Sequence, residues 1–313
     1  IISHIIEKFP LNTKFVIALG YKGNIVKEYM NIAHKNRNIK FVNVRPFEGK
    51  KSGLGLTLLK SSKFLQNPFL FISCDALIKK FNISQNYNWV GYSNKSAGTN
   101  YRSLDIKKKK LLKINEKSKK FKNKKTYIGV AFIKDYKFFW KETKKNFNNS
   151  INQGEVLAIN KLIKSKSVFC KKLMWDDTGS TDNYEKIKKK YSKKNDHNIL
   201  NKSNETIWFI NNLVIKFSSD KNFIKKRAKR SLLLKNFVPK LVNIEKNMYA
   251  YKYIKGNVFS KNLSLKKFKI LLNFLKKFWK INKPRNNIKF RSDCIKFYKD
   301  KTRLRIKMLH KRY

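Results

Sequence analysis

Residues 13–44, TKFVIALGYKGNIVKEYMNIAHKNRNIKFVNV, decide the fold. Thr13 to Leu19 reads as a short buried strand, Gly20-Tyr21-Lys22-Gly23 as a turn, and Asn24 to His34 as an amphipathic helix. Ile39 to Val44 is a second strand. Strand, helix and strand in this order open a βαβ unit, and so an α/β domain with parallel strands.

The pattern continues outward. Gly53 to Phe64 is a glycine-started helix, and Pro68 to Ser73, PFLFIS, is a strand apolar almost without interruption, which fits a parallel strand covered on both faces. Asp75 follows at its carboxyl end, where open α/β sheets gather their ligands. An aspartate after a strand is also an ordinary turn residue. WVGYS, SLDI, LLKIN and YIGVAFI, between Trp89 and Ile133, are short strands with turn signals between them, a mixed or antiparallel part of the same domain. Phe138 to Phe147 and Glu155 to Ser165 read as helices, and Val168 to Lys172 as a strand. Thr181 or Asp182 is expected to cap a helix ending near Tyr191. The whole is an α/β domain over residues 1–195 with a mixed, mostly parallel sheet.

The polar stretch from Ser192 to Glu205 marks a domain boundary, with residues 196–204 as linker. Beyond it TIWFINNLVIKF, 206–217, is a hairpin turning at Asn211-Asn212. A helix from Lys221 to Leu234, strands in LVNIEK and MYAYKYIKG, a helix from Leu265 to Lys280 and a basic, irregular tail after Pro284 complete a small α+β domain, 205–313.

Composition narrows the function. The chain carries 75 Lys plus Arg against 19 Asp plus Glu, a formal charge of +56. The excess is overwhelmingly lysine spread over both halves, with no zinc finger, RNP signature or basic zipper, so no specific nucleic-acid partner is expected. A non-catalytic polyanion-binding protein stays open as an alternative. Three widely spaced cysteines with no CxxC pair point to a reducing compartment and away from structural zinc. No run of 18 apolar residues and no signal-peptide pattern occurs, so a cytoplasmic location without membrane insertion is expected.

By chemistry alone, the strongest constellation is Asp75 and Asp177, each beside small residues. Phosphoryl and nucleotidyl transfer uses a divalent cation on phosphate oxygens, and Mg²⁺ takes one or two carboxylates plus phosphates and water. Asp176 is the alternative second ligand.

These stretches together resemble the nucleotidyltransferases that activate sugar phosphates or choline phosphate, which have a glycosyltransferase-A-like Rossmannoid fold. FVIALGYKGNIVKEY resembles the family's strand, Gly-Tyr turn and helix, and GLGLTLLK, with Gly53 and Gly55, its nucleotide-cradling segment. FLFISCDAL resembles the strand ending in the metal-binding aspartate, which makes Asp75 that ligand and places Cys74 beside the nucleotide. Cys74 is itself read as a small buried hydrophobe. INEKSKK resembles the Glu-Lys element, implying Glu116 on the acceptor side and Lys117 at the acceptor phosphate. YIGVAFI puts Gly129 in the acceptor pocket, and Asn152 to Glu155 resembles the acidic acceptor-side helix start. WDDTGSTDNY resembles the element carrying the second metal ligand, and that register favours Asp177 over Asp176. The family opens with a strand and a glycine-rich loop whose Arg and Lys hold the triphosphate. Nothing here matches it, so the resemblance implies a fragment that is inactive by itself, with the clamp before Ile1.

Residues 205–313 resemble the small lobe of choline-kinase-like and aminoglycoside-phosphotransferase-like enzymes, with Lys216 matching the ATP-phosphate lysine. The helix after it has no Glu to orient Lys216, and no His-Gly-Asp loop follows, so the lobe is read as present without its kinase chemistry. The expected reaction is Mg²⁺-dependent transfer of an NMP from an NTP to a small phosphorylated acceptor with release of pyrophosphate. CTP with a choline phosphate-like acceptor is favoured, ahead of a sugar phosphate with UTP, GTP or dTTP. A glycosyltransferase of the related fold is a further alternative, disfavoured because Ala76 and Leu77, rather than a second carboxylate, follow Asp75.

Overall fold

The computed structural model describes residues 1–79, 82–94, 100–117, 125–192, 202–256, 259–277 and 286–310. Its contacts group Ile1–Tyr253 into one compact unit and Ile254–Tyr313 into a second. Most of the expected linker, 196–204, lies outside the described residues.

The first unit begins with α1 (Ile2–Ile6), β1 (Lys14–Leu19), α2 (Gly23–Ala33) and β2 (Asn38–Asn43). β1 and β2 pair in parallel, from Lys14 opposite Asn38 to Leu19 opposite Asn43, as the opening stretch predicts. The chain continues through α3 (Leu54–Ser61), β3 (Phe69–Ile72), β4 (Ala76–Ile78), β5 (Asn88–Ser93), β6 (Ser103–Lys107), β7 (Lys110–Ile114) and β8 (Lys125–Ile133). Then come α4 (Tyr136–Lys145), α5 (Phe147–Gln153), α6 (Glu155–Leu162), β9 (Val168–Lys172), β10 (Trp175–Asp177) and α7 (Thr181–Tyr191).

Six strands form the main sheet in the order β3-β8-β5-β9-β7-β6. Within it only β5 and β9 run parallel, and β3 pairs antiparallel with β8, Phe69 opposite Ile133. The expectation of a mostly parallel sheet is therefore corrected. An apolar run reports burial and not direction, and PFLFIS is less enclosed than it reads, since Phe69 alone of β3 is fully buried. On β8, Ala131 and Ile133 pack with Phe139, Trp140, Val156 and Ile159 of α4 and α6, while Ile128, Val130 and Phe132 pack with Trp89, Leu173 and Trp175 on the other face. That two-residue alternation makes β8 the spine of two core layers. Ser180, not Thr181 or Asp182, caps α7, accepting from the Asn183 amide at 3.2 Å.

A separate four-stranded antiparallel sheet, β11-β12-β14-β13, is built from β11 (Glu205–Ile210), β12 (Leu213–Ser218), β13 (Leu241–Ile244) and β14 (Met248–Lys252), with α8 (Lys221–Leu233) after β12. Its first hairpin turns at Asn211-Asn212, both left-handed at φ 49° and 59°, a conformation asparagine tolerates. The core of this sheet is completed by α2: Ile32 and Ala33 pack with Ile215, Met248 and Ala250, and the Tyr29 ring meets Trp208 edge-on at 5.0 Å. Two hydrogen bonds, the first of them buried, fasten the same helix. Asn247 N donates to Glu28 Oε2 at 2.9 Å, and Asn211 Nδ2 donates to the Ala33 carbonyl at 2.9 Å.

The second unit carries α9 (Leu265–Lys276), α10 (Asn287–Ile295) and α11 (Lys301–His310). The tail after Pro284, expected to be irregular, is therefore helical where it is described. It lacks a clean apolar stripe, the signal that reveals amphipathic helices, yet no Gly or Pro interrupts 286–310 and the Asn286 side chain caps α10 at 2.9 Å. No helix among the described residues is long and apolar enough to cross a membrane.

Glu28→Ala leaves the buried Asn247 N–H without an acceptor, so stability should fall by about 1–3 kcal/mol. Hydrogen exchange should show amides of β12 and β14 losing protection together with those of α2. Loss confined to α2 would mean that the four-stranded sheet holds its place without this helix.

Candidate active site

The short ribbon of β4 and β10 brings the two aspartates together. The strands pair antiparallel with Asp177 opposite Ala76, so Asp75 stands one residue from the partner of Asp177. Thr178 locks the crossing, because its amide and its hydroxyl both donate to the Asp75 carbonyl, at 3.1 and 2.8 Å. Gly179 follows in the space between the carboxylates. A methyl group placed on it would stand 3.0 Å from Asp75 Oδ2 and 3.2 Å from Asp177 Oδ1, so both oxygens face one point.

Each carboxylate is held by its other oxygen. Ser73 Oγ donates to Asp75 Oδ1, and Tyr101 OH and Asn183 Nδ2 both donate to Asp177 Oδ2. Gly179 N donates to Asp177 Oδ1 at 3.0 Å. Burial, and then the carboxylate it bonds, pushes the Tyr101 phenol above its usual range, so Tyr101 stays a donor at neutral pH. Asp176 points elsewhere. It is buried under Lys190 Nζ, at 2.6 and 2.7 Å from its two oxygens, and Tyr191 OH at 3.1 Å. Burial opposes its ionisation, but these bonds prevail and hold its pKa below the carboxylate range. Adjacent strand residues face opposite sides, so Asp177 meets the start of α7 and Asp176 its end.

Gly129 joins this corner to the next. β8 bulges there, at φ 68°, where the register against β5 shifts between Val90 and Tyr92, and a side chain on Gly129 would collide with Ser73 Cβ at 2.8 Å. Two residues earlier, Tyr127 OH bonds Glu155 Oε1 at 2.9 Å. Glu155 starts α6 and is 3 % exposed, and burial raises its pKa, with Tyr127 and Arg102 opposing. Arg102 Nη2 lies 3.5 Å from Glu116 Oε2, and its Nη1 donates to the Gln153 carbonyl at 3.2 Å. Glu155 Oε2 and Arg102 Nε are buried without a partner among the described residues.

A cavity of about 260 Å³ lies where β1 and β2 end, lined by Leu19, Gly20, Val44, Phe47, Ser52, Gly53 and Thr57. Gly53 and Gly55 owe their identity to packing as well: a Cβ on either would stand 2.1 or 2.0 Å from the carbonyl oxygens of Ile151 and Ser150 in α5. The structure thus groups Asp75, Asp177 and Gly129, sets Glu155 and Glu116 together around Arg102, and puts Gly53 on the cavity. Lys117 is exposed beside Glu116. Lys216 is apart from all of these on β12, where Glu205 Oε2 holds its ammonium at 3.2 Å. Cys74 is exposed, correcting the buried reading, since the turn from β3 into β4 carries its side chain outward. Crowding around the sulfur and the neighbouring Asp75 charge raise its pKa.

Sequence reading missed Ser73, Tyr101, Arg102, Tyr127 and Asn183. Ser73 alone had a local signal, two residues before Asp75; the others arrive through tertiary contacts. Among the described residues no group of three or more His, Cys, Asp or Glu forms a metal cluster, so the pair of aspartates is the candidate.

No protein-family model and no curated protein matches the chain. Solved structures are similar in chain path. UDP-glucose pyrophosphorylase complexed with UDP-glucose is 15% identical at a TM-score of 0.48, covering 61% of this chain and 84% of its own. A putative glucose-1-phosphate thymidylyltransferase from Bacillus anthracis is 17% identical at 0.47, covering 59% and 78%. A nucleoside-diphosphate-sugar pyrophosphorylase from Vibrio cholerae is 13% identical at 0.47, covering 59% and 84%.

A raised Glu155 pKa means the folded state holds this proton more tightly than the unfolded chain does. Stability from this group is present below the unfolded value of about 4.3 and is lost as pH rises through the folded value. Glu155→Gln keeps the shape and removes the ionisation. Its stability relative to the parent should therefore increase between pH 4.5 and 8 in denaturant titrations, and a flat difference would show that Glu155 titrates as an ordinary carboxyl.

Proposed function

We propose that this chain forms the core of a nucleotidyltransferase, which moves an NMP from an NTP to a small phosphorylated acceptor and releases pyrophosphate. The observation that carries this reading is the convergence of Asp75 Oδ2 and Asp177 Oδ1 on the point beside Gly179, each carboxylate held by its other oxygen. The donor set fits Mg²⁺, a hard cation that takes one or two carboxylates and fills its remaining positions with water and substrate phosphates. Bound there, Mg²⁺ would neutralise charge on the reacting phosphates.

The protein's own residues supply position. The cavity at the ends of β1 and β2 has apolar walls in Leu19, Val44 and Phe47 and polar groups in Ser52 and Thr57, which suits a nucleotide base. Glu116, exposed and paired with Arg102, stands on the acceptor side, and Lys117 beside it attracts the acceptor phosphate. An acceptor phosphate is already ionised at neutral pH, so no general base is required and the work is orientation and charge neutralisation. CTP and a choline phosphate-like acceptor rest on the kinase-like reading of residues 205–313.

In the natural full-length protein, assayed for pyrophosphate release with each NTP and a panel of phosphorylated acceptors, Asp75→Asn and Asp177→Asn should each lower turnover by roughly 10²-fold or more. Asp176→Asn should act on the melting temperature instead, through the loosened end of α7. Near-parental turnover of the Asp177 variant at limiting Mg²⁺ would remove Asp177 from the reaction.

A further inference from the structure

We infer that Tyr101 and Asn183 are positioning residues that turn Asp177 so that Oδ1, and not Oδ2, faces the cation. The inference rests on the metal reading of Asp75 and Asp177 and extends it to residues that bear no charge. A carboxylate oxygen offers about two lone-pair directions. On Asp177 Oδ2 both are taken, by the Tyr101 hydroxyl and the Asn183 amide, whereas among the described residues Oδ1 accepts only the Gly179 N–H and keeps one direction open. On Asp75 the division is the same, with Oδ1 receiving Ser73 Oγ and Oδ2 without a partner among the described residues. Open lone pairs are therefore left on the two atoms that crowd the Gly179 position, and two donors on one oxygen fix the plane of the Asp177 carboxylate.

Both donors are themselves fixed. The Tyr101 ring stands edge-on to Trp175, with centroids 5.6 Å apart, and Trp175 is buried in the core beside Ile128 and Val130, two residues before Asp177 on the same strand. Asn183 sits in the first turn of α7, its backbone amide bound by the Ser180 cap, and the far end of that helix is tied to Asp176 by Lys190 and Tyr191. Loss of such an outer partner commonly lowers metal affinity by about 10–100-fold, because the ligand gains freedom and leaves its productive rotamer.

The test reads metal binding directly. Free Mn²⁺ is titrated into this chain and followed by electron paramagnetic resonance, for the parent and for Tyr101→Phe, Asn183→Ala and Asp177→Asn, with melting curves alongside. Tyr101→Phe keeps the ring on Trp175, so its melting temperature should hold while Mn²⁺ affinity falls about 10-fold or more. Asn183→Ala should show the same loss, and the double variant should approach Asp177→Asn. Tyr184→Phe, the exposed neighbour of Asn183, should bind as the parent does. If Asp177→Asn weakens Mn²⁺ while Tyr101→Phe and Asn183→Ala both stay within about twofold, the positioning role is overturned and the metal site stands. If Asp177→Asn itself leaves affinity unchanged, the metal reading falls and this inference with it.

Discussion

The antiparallel pairing of Trp175–Asp177 with Ala76–Ile78 is the constraint on which the rest of the site depends. Three residues on each side suffice because Ala76, Leu77 and Ile78 are all buried and Thr178 adds two bonds to the Asp75 carbonyl across 103 positions of sequence. Shifting the pairing by one residue would exchange the faces of Asp176 and Asp177. The helix-anchoring carboxylate would then face the site, and its partner would meet Lys190. The ribbon thus decides which of two adjacent aspartates stands beside Asp75, a choice that residue type cannot make.

The electrostatic setting sharpens the point. Asp75, Asp177, Glu116 and Glu155 are four of only 19 acidic residues in a chain of net charge +56, yet they fall in two adjoining corners. Elsewhere lysine dominates the surface, and a field of that sign attracts anions from solution with a strong dependence on ionic strength. The acidic corners then stand out as the negative exceptions on a predominantly positive chain.

Much of the fold was legible. The opening βαβ unit, the Asn211-Asn212 hairpin and the succession of short strands all follow from period and turn chemistry, which act over a few residues. Asp75 and Asp177 were legible as a pair, though only the structure shows how they meet. The direction of β3 was not, since its partner β8 lies some 60 positions away and an apolar run is blind to orientation. β4 and β10 are too short to display a period. Tyr101, Arg102 and Asn183 are ordinary polar residues whose role comes from the groups they meet, and α10 and α11 lack the single apolar stripe by which a helix is recognised.

The helix α2 has one further consequence. It is gripped by β1 on one flank and by β12 and β14 on another, with Glu28 and the Ala33 carbonyl as pegs. A rod held from two sides cannot serve as a pivot. The β1–β2 layer and the four-stranded sheet are therefore tied to each other through this helix, whereas the neighbouring cavity takes Phe47 of its wall from the exposed loop of residues 45–51.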